Sequence, residues 1–314
     1  MKEFWKLFWR MVLLSGMVMA AVAVFLISPP GPNQANFFAA ILDKQRMLRE
    51  MPSPRIILVG GSSLAFGMDS ELISKTFNRP VVNMGLHAGM GLNLMLAQVR
   101  PNLRAGDMIV LVPEYELFCG GYFDGDDSVL ANILEIDRKT LFLLDANQLS
   151  RLPWIAKYLI QYRYLRQANA RQFESEFYGR AAFNANGDAT RHLDQKPVRP
   201  VTGGDYILTY EQTKNLAVIP ALNEFQRDAA AKGARVLFFY PNAMASVYDQ
   251  STPEIQKLVD DLRAHLEIPI LGAPQDFRLD DPNFFDTTYH LTRAGRDIRT
   301  QRFIGLLQAH LTPR

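Results

Sequence analysis

Short apolar runs that alternate with helix-like segments are the feature that most constrains this chain. Three runs rich in aliphatic residues, 55–59, 81–84 and 108–112, have the length and composition of buried strands. Segments with helical patterns separate them, at 70–77 and at about 92–99. Strands that alternate with helices form parallel sheets with right-handed crossovers. We therefore predict an α/β domain with a parallel sheet.

The last hundred residues repeat this alternation. Two more apolar runs, 235–240 and 268–271, bring the expected number of parallel strands to five. Three helices are expected around these strands: 213–232, 253–266 and 293–311. Thr252 and Thr292 precede the second and third helices as N-caps. Pro220 lies inside the first helix, where a proline is expected to kink or split it.

Composition narrows the class of protein. The 314 residues are 48% hydrophobic and carry a net charge of +2, so there is no global basic field of the kind that nucleic-acid-binding proteins use. The single cysteine, Cys119, excludes an intramolecular disulfide. Cys119 has no activating partner nearby in the sequence, and we interpret it as a packing residue.

The N-terminal segment has the composition of a membrane anchor. Residues 11–27 are almost wholly apolar, Lys2, Lys6 and Arg10 precede them, and the next basic residue is Lys44. The positive-inside rule then predicts a cytoplasmic N-terminus in the inner membrane, with the main domain on the extracytoplasmic side. Residues 1–33 would form a cytoplasmic tip, a single spanning helix and a proline-rich linker. A further helix is expected at 37–50.

A cleaved signal peptide is the alternative interpretation of the same segment. Ala21-Val22-Ala23 fits the small-x-small pattern of a cleavage site, but it lies inside the apolar run, and Pro29 follows soon after. The uncleaved anchor is the interpretation that we favour. Both interpretations put the main domain outside the cytoplasm.

A glycine-rich and serine-rich turn follows the first strand, with Ser62, Ser63 and Gly67 in the run Gly-Gly-Ser-Ser-Leu-Ala-Phe-Gly at 60–67. A phosphate loop would need a lysine after its second glycine, and a dinucleotide turn would need Gly-x-Gly-x-x-Gly; both are missing. Two interpretations remain, a serine nucleophile at the sheet edge and a plain turn whose serines cap backbone groups.

The far end of the chain favours the nucleophile. Asp286 and His290 stand four residues apart, immediately before the last helix. The carboxylate can hold the imidazole in one tautomer, and the imidazole can take a proton from Ser63. Asp280 and Asp281 are the rival carboxylates, and they lie on the other side of Pro282. His87 is a rival base, without a carboxylate nearby in the sequence.

These two ends together resemble the SGNH (GDSL-type) hydrolase family. Gly61-Ser62-Ser63-Leu-Ala-Phe-Gly67 is similar to its first block, Gly-Asp-Ser followed by three residues and glycine. Val-Val-Asn-Met-Gly at 81–85 is similar to the second block, whose glycine N–H helps to bind the oxyanion. Asp286 and His290 stand where the last block, Asp-x-x-His, is expected. The Gly-Ser-Ser form resembles membrane-anchored relatives that D-alanylate teichoic acids or O-acetylate polysaccharides.

The sequence departs from the family pattern in two blocks. Three residues rather than two separate Asp286 from His290. The third block, Gly-x-Asn-Asp, is not visible, and Pro-Glu-Tyr-Glu at 113–116 follows the third strand instead. An ionised glutamate cannot donate to an oxyanion. Asn83 and Asn93 are the candidates for the missing donor.

The resemblance implies a fold and a set of roles. The fold is a flavodoxin-like three-layer sandwich with strand order 2-1-3-4-5. Ser63 is the implied nucleophile, His290 the base and Asp286 its orienting acid. The oxyanion donors are the Ser63 and Gly85 N–H groups, with Asn83 as the third. No metal or organic cofactor is implied.

Residues 119–212 are too long for a loop between strands and are predicted to be a helical cap with irregular loops, inserted between the domain halves 34–118 and 213–314. An acidic turn at 124–127 lacks the ligand spacing of a calcium loop and is interpreted as a solvated turn. Four aromatic residues in the insertion are interpreted mostly as core, with a sugar-binding cleft as the alternative: Trp154, Tyr158, Tyr162 and Tyr164.

The sequence thus predicts an esterase or O-acyltransferase that acts on acyl esters of a cell-envelope or exported polysaccharide. The alternative is a catalytically silent scaffold of the same fold. The expected partners are an acyl-bearing or acceptor glycan, the membrane and an integral-membrane acyltransferase. Nucleic acid is not among them.

Overall fold

The computed structural model of the protein describes residues 1–27, 36–168, 176–198, 209–211 and 216–312. The strands in these ranges are β1 (Ile56–Val59), β2 (Val81–Asn83), β3 (Met108–Leu111), β4 (Arg235–Phe239), β5 (Ala243–Met244), β6 (Ile270–Leu271) and β7 (Arg278–Leu279). The helices are α1 (Lys2–Ile27), α2 (Ala40–Glu50), α3 (Ser62–Ala65), α4 (Ser70–Phe77), α5 (Leu92–Val99), α6 (Asp127–Ile136), α7 (Ala146–Ser150), α8 (Leu152–Ala168), α9 (Val218–Ala231), α10 (Ala245–His265) and α11 (Arg293–Leu311).

Five parallel strands form the main sheet, in the order β2-β1-β3-β4-β6. Leu58 in β1 lies opposite Asn83 in β2 on one side and Val110 in β3 on the other. All residues of β1 and β3 are buried, as expected for central strands covered on both faces. The predicted α/β class and the five parallel strands are confirmed. Counted within this sheet alone, the observed order is 2-1-3-4-5.

A second, smaller sheet supports the loop before the last helix. Strands β5 and β7 pair in parallel, and neither was predicted. They lie beside a small hydrophobic cluster whose buried members are Met244, Val247, Leu279, Phe284 and Leu291. Phe284 and Leu291 also form an isolated antiparallel bridge that closes the loop containing Asp286 and His290. The small sheet therefore fixes the position of that loop.

Two helices begin where the sequence predicted. Asp69 caps α4 by accepting the Leu72 N–H at 3.0 Å, and Thr292 caps α11 by accepting the Gly295 N–H at 3.3 Å. The expected helix at 37–50 is present as a short 3₁₀ turn, Phe37–Ala39, followed by α2.

The proline-based predictions for the second half are wrong. Helix α9 begins at Val218, so Pro220 lies in its first turn, where the missing N–H has no intrahelical partner to lose. Residues 213–215, with which the predicted helix began, lie outside the described residues. Helix α10 runs through Pro253, so Thr252 is not its N-cap. Buried residues on both sides of the proline, Tyr248 and Ile255 among them, keep one apolar face packed.

The N-terminal segment forms α1, with Trp5 and Trp9 exposed on its surface. Among the residues that the structure describes, no helix is both long enough and apolar enough to cross a bilayer. The predicted membrane-spanning segment is therefore not supported. The proline-rich linker at 29–32 lies outside the described residues.

The insertion contains α6, α7 and α8, together with ordered turns between 176 and 198. Trp154 and Tyr158 on α8 are exposed, so their assignment to the core is wrong. Tyr162 is half-buried, and the side chain of Tyr164 lies outside the described set. Asp126 in the acidic turn caps α6 by accepting the Ser128 and Val129 N–H groups. The insertion's limits stay a prediction.

Candidate active site

The serine turn, residues 60–67, contains α3 and connects β1 to α4 at the carboxyl end of the sheet. A Cβ atom on Gly61 would lie 2.5 Å from Glu114 Oε1 and 2.6 Å from the Ala88 nitrogen. Contacts this short leave no room for a side chain. Glycine at this position therefore lets two distant segments, the end of β3 and the loop after β2, approach the turn.

Glu114 holds the serine turn through two backbone hydrogen bonds. Its carboxylate accepts the N–H of Gly61 and the N–H of Ser63, each at 2.8 Å. The residue is buried, and burial raises its pKa despite these hydrogen bonds and the charge of Arg299. Glu114 thus occupies the position where the third family block was missing, and it acts there as an acceptor rather than as a donor.

Ser63 is buried completely. Its hydroxyl oxygen has no hydrogen-bond partner among the described residues. Its N–H donates to Glu114, and its carbonyl accepts a hydrogen bond from Arg299 Nη1. The predicted contact between the Ser63 hydroxyl and His290 is not formed in this structure. The neighbouring Ser62 is partly exposed.

The loop that contains Asp286 and His290 brings their side chains together. His290 Nδ1 lies 2.9 Å from Asp286 Oδ1, and the Tyr178 hydroxyl donates to Asp286 Oδ2. The Phe285 N–H donates to the His290 carbonyl at 2.8 Å, and Thr287 Oγ1 accepts the His290 N–H at 3.0 Å. These bonds close a tight loop in which three intervening residues still place acid and imidazole side by side.

Opposing effects set the charge state of Asp286. Burial alone would raise its pKa, but the hydrogen bond from His290, the charge of His290 and the hydrogen bond from Tyr178 outweigh burial and lower it. An ionised carboxylate at this place accepts the Nδ1 proton, which leaves Nε2 as the basic nitrogen. His290 Nε2 has no hydrogen-bond partner among the described residues.

The rival carboxylates lie elsewhere, because Asp281 accepts the Ser246 N–H and Asp280 lies 3.7 Å from Arg278.

Phe66 joins the two distant ends of the chain. Its ring stacks on the His290 imidazole, with 4.1 Å between centroids and 14° between planes. Phe66 ends the turn that begins at Ser62, since its N–H donates to the Ser62 carbonyl at 2.9 Å. Further rings surround this stack: Phe37, Tyr178, His192 and Phe285. The imidazole and the serine turn therefore lie against one aromatic cluster.

The predicted oxyanion donors are already occupied. The Gly85 N–H donates to Asn83 Oδ1 at 2.9 Å, and Asn83 Nδ2 donates to the Leu64 carbonyl and to Asp188 Oδ1. The Ser63 N–H is held by Glu114. Asn93, the other candidate, donates to Asp145 at 2.7 Å. None of these four predicted groups is free for a substrate in this structure.

His87, the rival base, lies near His290 but has different hydrogen-bond partners. Its Nδ1 accepts the Gly89 N–H at 2.9 Å rather than donating to a carboxylate. Burial, together with the charge of His290, lowers its pKa. His192 is a third histidine close to the site; its Nε2 lies 2.9 Å from the Leu291 carbonyl, and burial lowers its pKa to about 4. Among the residues that the structure describes, neither His87 nor His192 forms a hydrogen bond with a carboxylate, as His290 does.

Tyr178 and Glu114 are the residues that sequence reasoning missed. Tyr178 comes from the insertion and lies 108 positions from Asp286. Glu114 was noted only as a residue unable to donate. The presence of Pro-Glu at the end of β3, where a polar side chain faces the serine turn, was the available signal.

The described residues contain no group of three or more His, Cys, Asp or Glu side chains placed to hold a metal ion. Burial raises the pKa of Cys119 to about 12, so its thiol stays protonated at neutral pH and is a poor nucleophile.

No family model matches the sequence, and no curated protein matches it.

Proposed function

We propose that this protein is an SGNH-type serine esterase or O-acyltransferase that acts on acyl esters of a cell-envelope or exported polysaccharide. The observation that carries the proposal is the Asp286–His290 pair, with an unpartnered Nε2, stacked on Phe66 of the serine turn. The strand order 2-1-3-4-5 also supports it, because the resemblance to SGNH hydrolases implies that order in a flavodoxin-like three-layer fold.

The proposed chemistry proceeds in two steps. A serine hydroxyl of the turn attacks the carbonyl carbon of the ester and transfers its proton to His290 Nε2. The ester C–O bond breaks, and the leaving alcohol takes that proton. A sugar hydroxyl or a water molecule then attacks the acyl carbon and gives its proton to His290 Nε2. The bond between the acyl carbon and the serine oxygen breaks, and the protonated imidazole returns the proton to that oxygen. Asp286 keeps the imidazole in the tautomer that both steps need, and Tyr178 holds Asp286.

A fluorophosphonate probe and a chromogenic acetyl ester test the proposal on the purified full-length protein. We expect labelling and ester cleavage in the wild type, and a loss of about 10⁴-fold to 10⁶-fold in rate for His290→Ala. The chain offers a matched control in His265, an exposed residue of α10 that pairs with Asp261 at the same spacing and the same 2.9 Å distance. His265→Ala should leave both rates unchanged. Equal losses in the two variants would argue against the proposal.

One observation favours a second function, a catalytically silent scaffold that binds glycan or docks an integral-membrane acyltransferase. The Ser63 N–H, the Gly85 N–H and the Asn83 amide are all bonded within the protein. An enzyme of this type needs open donors for the oxyanion. A folded wild-type protein that neither reacts with the probe nor cleaves the ester, but that binds an acetylated glycan, would support the scaffold.

We also propose that the domain acts outside the cytoplasm. The support is the charge pattern of the sequence, with Lys2, Lys6 and Arg10 before the apolar run and no basic residue from 11 to 43. The cleaved-leader interpretation of this segment predicts the same location without a spanning helix. Fusions of a periplasmic reporter enzyme after residue 54 test the location, and an inactive reporter would contradict it.

A further inference from the structure

The two adjacent serines of the turn differ in their exposure and in the hydrogen bonds of their N–H groups. Ser63 is fully buried, and its hydroxyl oxygen has no hydrogen-bond partner in the described part of the chain. Ser62 is partly exposed, and neither its hydroxyl nor its N–H makes a hydrogen bond to a described residue. An incoming carbonyl group can therefore reach Ser62 and cannot reach Ser63 without a rearrangement of the turn.

Ser63 is held in place from both sides of its peptide chain. Its N–H donates to the buried Glu114 carboxylate, and its carbonyl accepts from the buried Arg299. Moving the Ser63 backbone toward solvent would break at least one of these charge-assisted hydrogen bonds. The backbone contacts therefore identify Ser63 as the residue that fixes the turn to the sheet and to α11.

Ser62 has a direct structural connection to the base. It accepts the Phe66 N–H at 2.9 Å, and the Phe66 ring stacks on the imidazole of His290 at 4.1 Å. Residues four apart lie on one face of a helical turn, so Ser62 lies on the same face of the turn as Phe66, whose ring contacts His290. The proposed proton transfer needs a serine hydroxyl within reach of the unpartnered Nε2 of His290.

We infer that Ser62, rather than Ser63, is the nucleophile of this site. The inference rests on the proposed function, and it changes the residue that carries the acyl group. The Ser62 Oγ–H proton passes to His290 Nε2 as Oγ bonds to the acyl carbon, and the protonated imidazole returns it to the leaving alcohol. The unoccupied Ser62 N–H, which is the N–H of the attacking residue itself, is one donor for the oxyanion.

The test uses two isosteric variants of the full-length protein, Ser62→Ala and Ser63→Ala, each of which removes one hydroxyl from the same turn. Each is treated with a fluorophosphonate probe, and the modified residue is located in the wild type by fragmentation of the tryptic peptide that contains 56–75. We expect the phosphonyl group on Ser62, at least a 1,000-fold slower labelling rate for Ser62→Ala, and a rate within about threefold of wild type for Ser63→Ala.

A folding readout accompanies the labelling. Ser63→Ala removes a buried hydroxyl that has no partner, so its unfolding temperature should be equal to or higher than that of the wild type. Ser62→Ala should unfold at the wild-type temperature because its hydroxyl makes no bond.

The outcomes separate the inference from the proposed function. The phosphonyl group on Ser63, with labelling kept in Ser62→Ala, would overturn the inference and leave the serine esterase standing. A folded wild type without any labelling would overturn both. If both variants lose labelling, the residue modified in the wild type decides between the two serines.

Discussion

The two sides of the candidate site satisfy their polar groups in different ways. On the histidine side, side chains pair with side chains, because Asp286 binds His290 and Tyr178, and one imidazole nitrogen stays open. On the serine side, side chains bind the backbone, because Glu114 takes two N–H groups and Asn83 takes the N–H of Gly85. The histidine side is thus arranged for proton transfer, whereas the serine side is arranged first to hold a turn.

This difference explains what the sequence could and could not predict. An acid and a histidine four residues apart are visible in a sequence, because a short loop brings them together almost regardless of the rest of the fold. Which carboxylate accepts a given N–H depends on contacts between residues more than fifty positions apart, as for Glu114 and Ser63. The sequence motif therefore identified the backbone N–H groups near Ser63 as oxyanion donors, but it could not show that side chains of the protein already bind them.

The largest expected effect lies on the histidine side. Asp286→Asn replaces the acceptor of the Nδ1 proton by an amide that can itself donate, which favours the tautomer with the proton on Nε2. We expect kcat for an acetyl ester to fall by about 10⁴-fold with little change in KM. Asp280→Asn is the matched control, because Asp280 is 83% exposed and six positions away; it should stay within about twofold of wild type. If kcat of Asp286→Asn fell by less than tenfold, another group would have to orient His290.

The second prediction concerns how the contributions of Glu114 and Asp286 to stability change with pH. The pKa of Glu114 is raised by burial, whereas the pKa of Asp286 is lowered by its hydrogen bonds. As pH rises, Glu114 loses its proton in the unfolded state before it does so in the folded state. The free energy of unfolding of the wild type should therefore fall relative to that of Glu114→Gln above about pH 4.5. The fall amounts to about 1.4 kcal/mol for each unit by which the pKa is raised. For Asp286 the stabilisation is present at neutral pH and is lost as pH falls below about 3.8.

Urea unfolding of the wild type, Glu114→Gln and Asp286→Asn across pH 3 to 8 measures both effects. The stability difference between wild type and variant should change in opposite directions for the two positions. Parallel pH profiles would show that Glu114 stays ionised at its ordinary pKa, and the contrast between the two sides would disappear. Glu71→Gln is the control, because the Glu71 side chain is exposed on α4; its stability difference from the wild type should not change with pH.

More of the fold than of the site could be predicted, because helix limits depend on residues that are close together in the sequence. The limits of α4 and α11 follow from caps at Asp69 and Thr292, and a cap depends only on residues within one turn. The errors at Pro220 and Pro253 arose because a proline was interpreted without knowing where the helix begins or which face is packed. The small β5–β7 sheet has strands of two residues, too short for any periodic pattern to appear.

The smallest effect tests whether the insertion belongs to the site. Tyr178 donates to Asp286 Oδ2, and its hydroxyl oxygen lies 3.1 Å from His290 Nδ1. Tyr178→Phe removes one hydrogen bond to a carboxylate and keeps the ring that packs on Phe66, at a cost of about 1.5 kcal/mol, or about tenfold in kcat. Tyr158→Phe, on the exposed side of α8, removes a tyrosine hydroxyl from the insertion without touching Asp286. Equal kcat values in the two variants would assign Tyr178 to packing alone, and proton transfer would then depend on the two ends of the chain without the insertion between them.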